Sequence, residues 1–157
     1  MIRVQSIVYK PKDEPEVKDR YTRVPLSQAN LIAGYGIEGD RKGGNPNRNL
    51  NVMDDRTLDE LGAEGYPTEP GTLGENLILA GINLRQLPEG TQLRLGNEAI
   101  IELASFRVPC HQLTPIDERM PDEVVGRVGV MCRVIQSGVI QIGDPVAVLG
   151  MAVSASS

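Results

Sequence analysis

Histidine, cysteine and aromatic residues are scarce in this chain. Its 157 residues include one histidine, two cysteines and no tryptophan, and aromatic side chains make up only 3%. A structural zinc site needs about four Cys and His ligands, and a disulfide framework needs several closely spaced cysteines. This inventory supplies neither, so the chain must fold on its hydrophobic core, which a single domain of this length can bury.

Long apolar runs are also missing. The N-terminal MIRVQSIVYK has Arg3 and Gln5 among its apolar residues, which leaves no core for a secretory signal peptide. Nowhere do roughly 18 apolar residues run together, the length that suggests a membrane-spanning helix. We therefore expect a cytoplasmic protein in a reducing compartment, with no membrane partner.

Negative charge predominates, with 21 Asp and Glu against 16 Lys and Arg and a net charge of −5. Nucleic acids and anionic membranes favour a basic face, so we expect no nucleic-acid partner. The exception is RKGGNPNR, residues 41–48, which contains three cations and no acid. This basic loop is either a small-anion site, formed by Arg41, Lys42, Arg48 and glycine N–H groups, or a solvated surface loop.

Short alternating runs rich in β-branched residues predict strands. They cover residues 3–9, 27–33, 50–53, 76–79, 92–95, 99–104, 129–135 and 145–149. Residues 54–62 predict a helix, because Asp54 or Asp55 can cap it and Gly62 can end it, and a weaker helical pattern covers 117–125. We expect a mainly β fold, a closed or nearly closed β-barrel with one or two helices packed outside it.

One domain is predicted over residues 1–149. The remaining residues, 150–157, are small and polar, and we expect them to form a flexible C-terminal tail.

Residues 34–39, GYGIEG, match the G-x-G-x-x-G pattern of dinucleotide-binding folds. That pattern requires a helix directly afterwards, whose N–H groups meet a pyrophosphate. The following DRKGGNPNRN contains adjacent glycines and a proline, which exclude a regular helix. We therefore interpret these glycines as residues that shape a wide loop, with Gly34 serving only a turn.

Residues 70–77, PGTLGENL, place polar side chains directly before a predicted strand. Asn76 offers two donors and an acceptor, which suit the edge of a heterocycle, and Glu75 can accept protons or hydrogen bonds. A tight turn capped by the asparagine would have the same sequence, so both interpretations stay open.

Cys132 belongs to an alternating run. Every second residue from 128 to 134 is a valine except position 132, so the thiol shares one strand face with three valines. We expect it to be an inert core residue.

Cys110 has a different setting, in the stretch FRVPCHQL. It follows Pro109 and lies between Arg107 and His111, where nearby positive charge favours the thiolate. The thiolate is the form that binds soft metals or attacks electrophiles. From these residues alone, Cys110 is either a reactive ligand or nucleophile, or an ordinary buried cysteine.

Several of these stretches, in this order, resemble the MOSC domain, the family named after the C-terminal domain of molybdenum cofactor sulfurase. They are GIEGDRKGG, Arg48, PGTLGENL, IIELASFRVPC and GRVGVMCRVIQSGVIQIGDPV. The resemblance covers roughly residues 2–149, and the family includes small stand-alone bacterial proteins. It implies a β-barrel-like fold and a pocket for the molybdenum cofactor, in which a molybdopterin bearing a phosphate binds the metal.

The resemblance also implies roles for individual residues. Cys110 matches the family cysteine that follows a proline, so it would ligate molybdenum or carry sulfur as the catalytic group. The cofactor-binding residues implied or expected are Arg41, Lys42, Gly43, Gly44, Arg48, Glu75, Asn76 and Arg107. Many members have histidine where this chain has Lys42, and a lysine there can hold a phosphate but titrates far from neutrality.

Two functions follow from the resemblance. In the first, the protein is a small molybdoenzyme that reduces N-hydroxylated small molecules; because two cysteines cannot build an iron–sulfur cluster, its electrons would come from a separate protein. In the second, Cys110 accepts a persulfide from a sulfur-donating protein, or the pocket stores and delivers cofactor without turnover. The first is the leading expectation, because no sulfur-generating domain accompanies this one.

Overall fold

The computed structural model describes residues 1–11, 24–41, 43–106 and 129–151. These residues form eleven strands, one α-helix and a short 3-10 helix at Leu84–Gln86. The elements are β1 (Arg3–Tyr9), β2 (Val24–Pro25), β3 (Gln28–Ile32), β4 (Gly36–Ile37), β5 (Leu50–Asp54), α1 (Asp55–Ala63), β6 (Leu77–Ala80), β7 (Thr91–Leu95), β8 (Ala99–Phe106), β9 (Val130–Gln136), β10 (Gly138–Gln141) and β11 (Val146–Met151). The helical pattern at 117–125 lies outside the described residues.

Eight strands form one curled sheet, in the order β11-β7-β8-β9-β5-β6-β1-β2. The sheet returns to itself at β1: Arg3 forms a bridge with Pro145, and the Val146 N–H donates to the Ile2 carbonyl at 3.0 Å. The other three strands form a second sheet in the order β10-β3-β4. The prediction of a mainly β, nearly closed barrel is confirmed.

Alternate side chains of the curled sheet fill the barrel. On β5, Leu50 and Val52 belong to the main core. Met53 belongs to a second cluster, which also contains residues of α1. On β6, Leu77 points to the main core and Ile78 to the second cluster. Both faces of these two central strands are therefore buried. β6 is accordingly a continuous apolar run, whereas β5 also buries the polar residues Asn51 and Asp54.

Helix α1 covers the outer face of β5 and β6. The Thr57 N–H donates to Asp54 Oδ1 at 2.6 Å, so Asp54 is the N-cap. Leu58 and Leu61 are buried in the second cluster, which fixes the helix to the barrel. The helix predicted at 54–62 is confirmed with a shift of one residue. Among the described residues, no helix combines the length and apolar character needed to cross a membrane.

Three strands were not predicted, namely β2, β4 and β10. β10 contributes only four residues between two turn clusters, too few for an alternating pattern to show. It forms because it pairs with β3 over four residues, and because Ile140 is completely buried in the main core. β11 continues to Met151, two residues past the predicted end of the domain, and residues 152–157 lie outside the described part.

Cys132 is buried as predicted. Its side chain is 0% exposed, and its neighbours on the same face, Val130 and Val134, are 3% and 2% exposed. Burial raises the pKa of the Cys132 thiol, because the core disfavours the charged thiolate. The thiol is therefore protonated and inert near neutral pH, which confirms its interpretation as a core residue.

Replacing Cys132 tests this packing. Cys132→Ala should lower the free energy of unfolding by about 1 kcal/mol, because it leaves a small cavity in the core. Cys132→Ser should lower it further, because the hydroxyl would be buried among apolar side chains. Urea denaturation of both variants measures the difference. An alanine variant less stable than the serine variant would contradict the assigned environment.

The raised thiol pKa also predicts a pH dependence. The thiol of the unfolded chain loses its proton near pH 9.0, whereas the folded chain keeps it. The stabilisation is therefore complete below that pH and decreases above it, by up to about 1.4 kcal/mol per pH unit. Urea denaturation at about pH 8 and about pH 10 should show the stability difference between wild type and Cys132→Ala shrinking at the higher pH. A difference that does not change with pH would contradict the burial of this thiol.

Candidate functional site

The basic loop, residues 41–48, lies between β4 and β5. Before it, GYGIEG forms the tight β3–β4 hairpin, in which Leu31 pairs with Ile37 and Ile32 with Gly36. The described residues from 39 to 54 contain no helix. The prediction that Gly34 serves a turn is confirmed, whereas the wide loop expected around these glycines is instead a tight hairpin. Lys42 lies outside the described residues.

Asp40, directly before the loop, is completely buried. Its Oδ1 accepts from the Lys10 N–H at 3.0 Å, and its Oδ2 accepts from Asn76 Nδ2 at 3.2 Å. The Arg41 N–H donates in turn to the Lys10 carbonyl at 2.7 Å. The first end of the basic loop is therefore fixed to the end of β1 and to the residue before β6.

Asn49, directly after the loop, is 3% exposed and anchors the second end. Its N–H donates to the Cys132 carbonyl at 2.9 Å, and its Oδ1 accepts from the Val134 N–H at 3.0 Å. Its Nδ2 donates back into the loop, to the Asn45 carbonyl at 2.9 Å. The basic loop is thus held between β1 at one end and β9 at the other.

Tyr35 supports the middle of the loop. Its hydroxyl donates to the Asp40 carbonyl at 3.0 Å, and its own carbonyl accepts from the Gly44 N–H at 2.8 Å. A Cβ at Gly43 would lie 2.5 Å from the tyrosine ring, so only glycine fits this position. The Gly43 N–H donates to the Asp40 carbonyl at 3.1 Å. Both glycine N–H groups are used within the protein, which differs from the expectation that they face an anion.

The cations of the loop are better placed for that role. Arg41 is partly buried beside the anchored end, and Arg48 is exposed. Guanidinium groups form paired hydrogen bonds with phosphate, and a loop fixed at both ends holds them without a large ordering cost on binding. Arg41 and Arg48 are therefore the described residues of the loop whose side chains can meet an anionic group.

Asn76 and Glu75 lie inside the protein. Asn76 Nδ2 donates to the Val8 carbonyl at 3.3 Å as well as to Asp40, and its Oδ1 accepts from the Asn51 N–H at 3.0 Å. Contact between this amide and a heterocycle would have to replace one of these bonds. Glu75 is 1% exposed, and its Oε2 accepts from the Gly71 N–H at 2.5 Å. Asn76 is therefore tied to Asp40 at the start of the basic loop, and Glu75 is tied to the turn at Gly71.

Metal donors are not clustered in the described part of the chain, where no group of three or more His, Cys, Asp and Glu side chains could hold a metal ion. Cys132 is enclosed in the core with a protonated thiol, so it cannot serve as a soft ligand. Cys110, Arg107 and His111 lie outside the described residues; Cys110 follows Phe106, the last residue of β8, by four positions. A thiolate ligand at this site therefore depends on Cys110.

Asp40, Asn49 and Tyr35 were missed in the sequence. A signal was present, because Asp40 and Asn49 directly flank the glycine-containing loop, and short Asp and Asn side chains readily bond to nearby backbone groups. Their actual partners lie far away along the chain, at Lys10 and Val134. The sequence therefore showed suitable residue types at both ends of the loop, but not the distant residues to which they bond.

The fold of this chain is similar to those of several solved bacterial proteins. YiiM from Geobacillus stearothermophilus is 22% identical with a TM-score of 0.75, and the match covers 99% of this chain and 78% of that one. YuaD from Bacillus subtilis is 18% identical with a TM-score of 0.73, covering 93% and 94%. YiiM from Escherichia coli is 22% identical with a TM-score of 0.69, covering 96% and 71%. At these identities the similarity shows the fold alone.

The family model for the MOSC domain matches residues 39–147. The chain therefore belongs to the MOSC family, as the sequence motifs implied. The matched segment begins at Gly39, just before the basic loop, and includes Asn76 and Cys110. A search of curated proteins gives no match.

Two glycines of the β3–β4 hairpin provide a test of the loop anchor. Gly36 has a φ of 113°, and a Cβ there would lie 2.3 Å from the Asn49 carbonyl oxygen. Gly34 has a φ of 77° with nothing within 4 Å of a Cβ. Gly34→Ala should lower the free energy of unfolding by about 1 kcal/mol from backbone strain alone. Gly36→Ala should lower it by about 1–2 kcal/mol more, because it must also displace the anchored end at Asn49.

Urea denaturation of the two alanine variants measures this difference. Equal losses of stability would mean that the contact between Gly36 and Asn49 is not tight.

Proposed function

We propose that this protein binds the molybdenum cofactor and acts as a small molybdoenzyme that reduces N-hydroxylated small molecules. The observation that carries the proposal is the family match over residues 39–147, because every expected site residue, from Arg41 to Cys110, lies within it. The proposal includes a cytoplasmic location and a separate protein as electron donor.

The basic loop would hold the phosphate of the cofactor. Arg41, Lys42 and Arg48 supply the charge, and Gly43 and Gly44 allow the loop to fold closely over Tyr35. The support for this role is the anchoring at both ends, since binding then orders few additional groups. Asn76 would contribute by holding Asp40 at the start of the loop, and Glu75 by holding the turn that precedes Asn76, through the bonds that they already make.

Cys110 would hold the metal. When bound, the cofactor supplies two-electron redox chemistry at molybdenum. The role proposed for the chain is to provide a thiolate in a cation-rich setting, with Arg107 nearby in the sequence to favour the charged form. Cys132 supports this choice by exclusion, because its burial removes the only other thiol from consideration.

The electrons would come from outside the chain. An iron–sulfur cluster needs about four cysteine ligands, and this chain has two cysteines, of which one is buried in the core. The proposed reductase therefore needs an electron-transfer partner. In the carrier alternative, the partner would instead donate or receive sulfur or cofactor.

Cofactor content tests the proposal. The protein, purified from a host that makes the molybdenum cofactor, should contain molybdenum and pterin in amounts approaching one per chain. Cys110→Ala should lose most of its molybdenum, because the proposed thiolate ligand is gone. Cys132→Ala is the matched control, which should keep both. Elemental analysis and fluorescence of the oxidised pterin provide the two measurements.

The outcomes separate the possibilities. Wild-type protein without molybdenum or pterin would rule out both the reductase and the cofactor carrier. A Cys110→Ala variant with wild-type contents would remove the ligand role and favour a carrier. Reduction of a simple hydroxylamine by the loaded protein, with an artificial electron donor, would support the enzyme; its failure with full cofactor content would leave the carrier.

A further inference from the structure

We propose that Asp40 is a positioning residue that sets the basic loop for phosphate binding, an inference that rests on the proposed function. Asp40 does not reach outward itself, because it is completely buried. Its two carboxylate oxygens instead accept from two separate structures, the Lys10 N–H at the end of β1 and the Asn76 side chain before β6. Because Asp40 directly precedes Arg41, these two bonds also hold the first residue of the basic loop in place.

The carboxylate is the only group of this size that satisfies both donors. An ionised carboxylate accepts at both oxygens, whereas an amide accepts at one and donates at the other end. Asn at position 40 would therefore face a donor with its own NH2 group, at either Lys10 or Asn76. A buried donor without an acceptor is costly, so the contact should open.

The Asn76 amide cannot relieve this conflict. Turning the Asn76 amide over would present its oxygen to residue 40. It would also present Asn76 Nδ2 to the Asn51 N–H, which now donates to Oδ1 at 3.0 Å, and remove the bond to the Val8 carbonyl. The network therefore has one arrangement that satisfies its donors, and that arrangement requires an acceptor at both oxygens of residue 40.

The fixation reaches Arg41 through the backbone. Lys10 donates to Asp40 and accepts from the Arg41 N–H, so the two bonds form one link between β1 and the loop. The Asp40 carbonyl accepts from the Tyr35 hydroxyl and from the Gly43 N–H. Loss of the carboxylate contacts should loosen these bonds too, because all of them depend on the position of one residue.

Asp40→Asn is the test variant, and Asp54→Asn is its matched control. Asp54 is 2% exposed and also accepts at both oxygens from N–H donors, those of Thr57 at 2.6 Å and Leu84 at 2.8 Å. Its partners belong to α1 and to the 3-10 helix at Leu84–Gln86, not to the basic loop. The control therefore matches the chemistry and the burial of Asp40, and differs in what is held.

Two readouts are needed. The first is pterin per chain after purification from a cofactor-producing host, which should fall on the order of tenfold in Asp40→Asn and stay near wild type in Asp54→Asn. The second is amide hydrogen exchange without cofactor. Exchange at Arg41 and Gly44 should accelerate on the order of tenfold in Asp40→Asn and remain unchanged in Asp54→Asn. If Asp40 had only a structural role, both variants would lose global stability alike. Pterin content and exchange at Arg41 and Gly44 would then change to the same extent in Asp40→Asn and Asp54→Asn.

The inference would be overturned if Asp40→Asn kept wild-type pterin content and wild-type exchange rates. An equal loss of pterin in Asp54→Asn would overturn it as well. If the wild-type protein itself carries no pterin, the proposed function fails, while the exchange of Arg41 and Gly44 still decides whether Asp40 holds the loop. Should Asp40→Asn not fold, native-state exchange of the wild type replaces it. Lys10, Arg41 and Gly44 should then exchange through one common opening, and much faster exchange of Gly44 and Arg41 than of Lys10 would contradict the link.

Discussion

Strand β1 is the element on which the rest of the structure depends. Along one edge it pairs with β6, and along the other it meets Pro145 near its start and β2 near its end. The bridge at Pro145 brings the two ends of the curled sheet together at the start of β1, which shortens the open edge that a sheet of eight strands would otherwise present. The last hydrogen-bonding groups beyond the strand, those of Lys10, then hold Asp40 and Arg41. Closure of the barrel and fixation of the basic loop thus use the same segment of backbone.

The loop is short enough for its two ends to determine its shape. Asp40 joins it to β1 and to Asn76, and Asn49 joins it to β9, so both anchors are barrel strands or their direct extensions. Tyr35 fills the space beneath it. The result is a polar, cation-bearing loop whose two ends are ordered during folding. This would lower the ordering cost of the phosphate binding that we propose for it.

The buried polar groups of this region also carry a cost in folding free energy. Asp40, Asn49 and Asn76 are each at most 3% exposed, and each loses its contact with water on folding. Their mutual and backbone hydrogen bonds offset that loss only in one arrangement. Such a network favours a single conformation of the loop, because hydrogen bonds are directional, whereas apolar contacts are not.

Local pattern was sufficient where neighbours in sequence carry the information. The alternation of residues 3–9 gave β1 with the bounds that the structure shows. The capping aspartate at 54 or 55 and the closing Gly62 gave α1 to within one residue. The short β10 was not predicted, because it is stabilised by pairing with β3, a strand in a distant part of the chain. The MOSC motifs pointed to the family and the fold, although the described part of the structure does not reach Cys110, Arg107 or Lys42.

The sequence by itself determined that the chain is a β-rich domain, that Cys132 faces a valine-lined core, and that a basic loop precedes a strand. It determined these because alternation and composition are local properties. Only the tertiary structure decided the role of the polar residues. Asn76 finds its partners Val8, Asp40 and Asn51 at separations of 68, 36 and 25 residues, and a hydrogen bond between residues so far apart exists only once the barrel has brought their strands together.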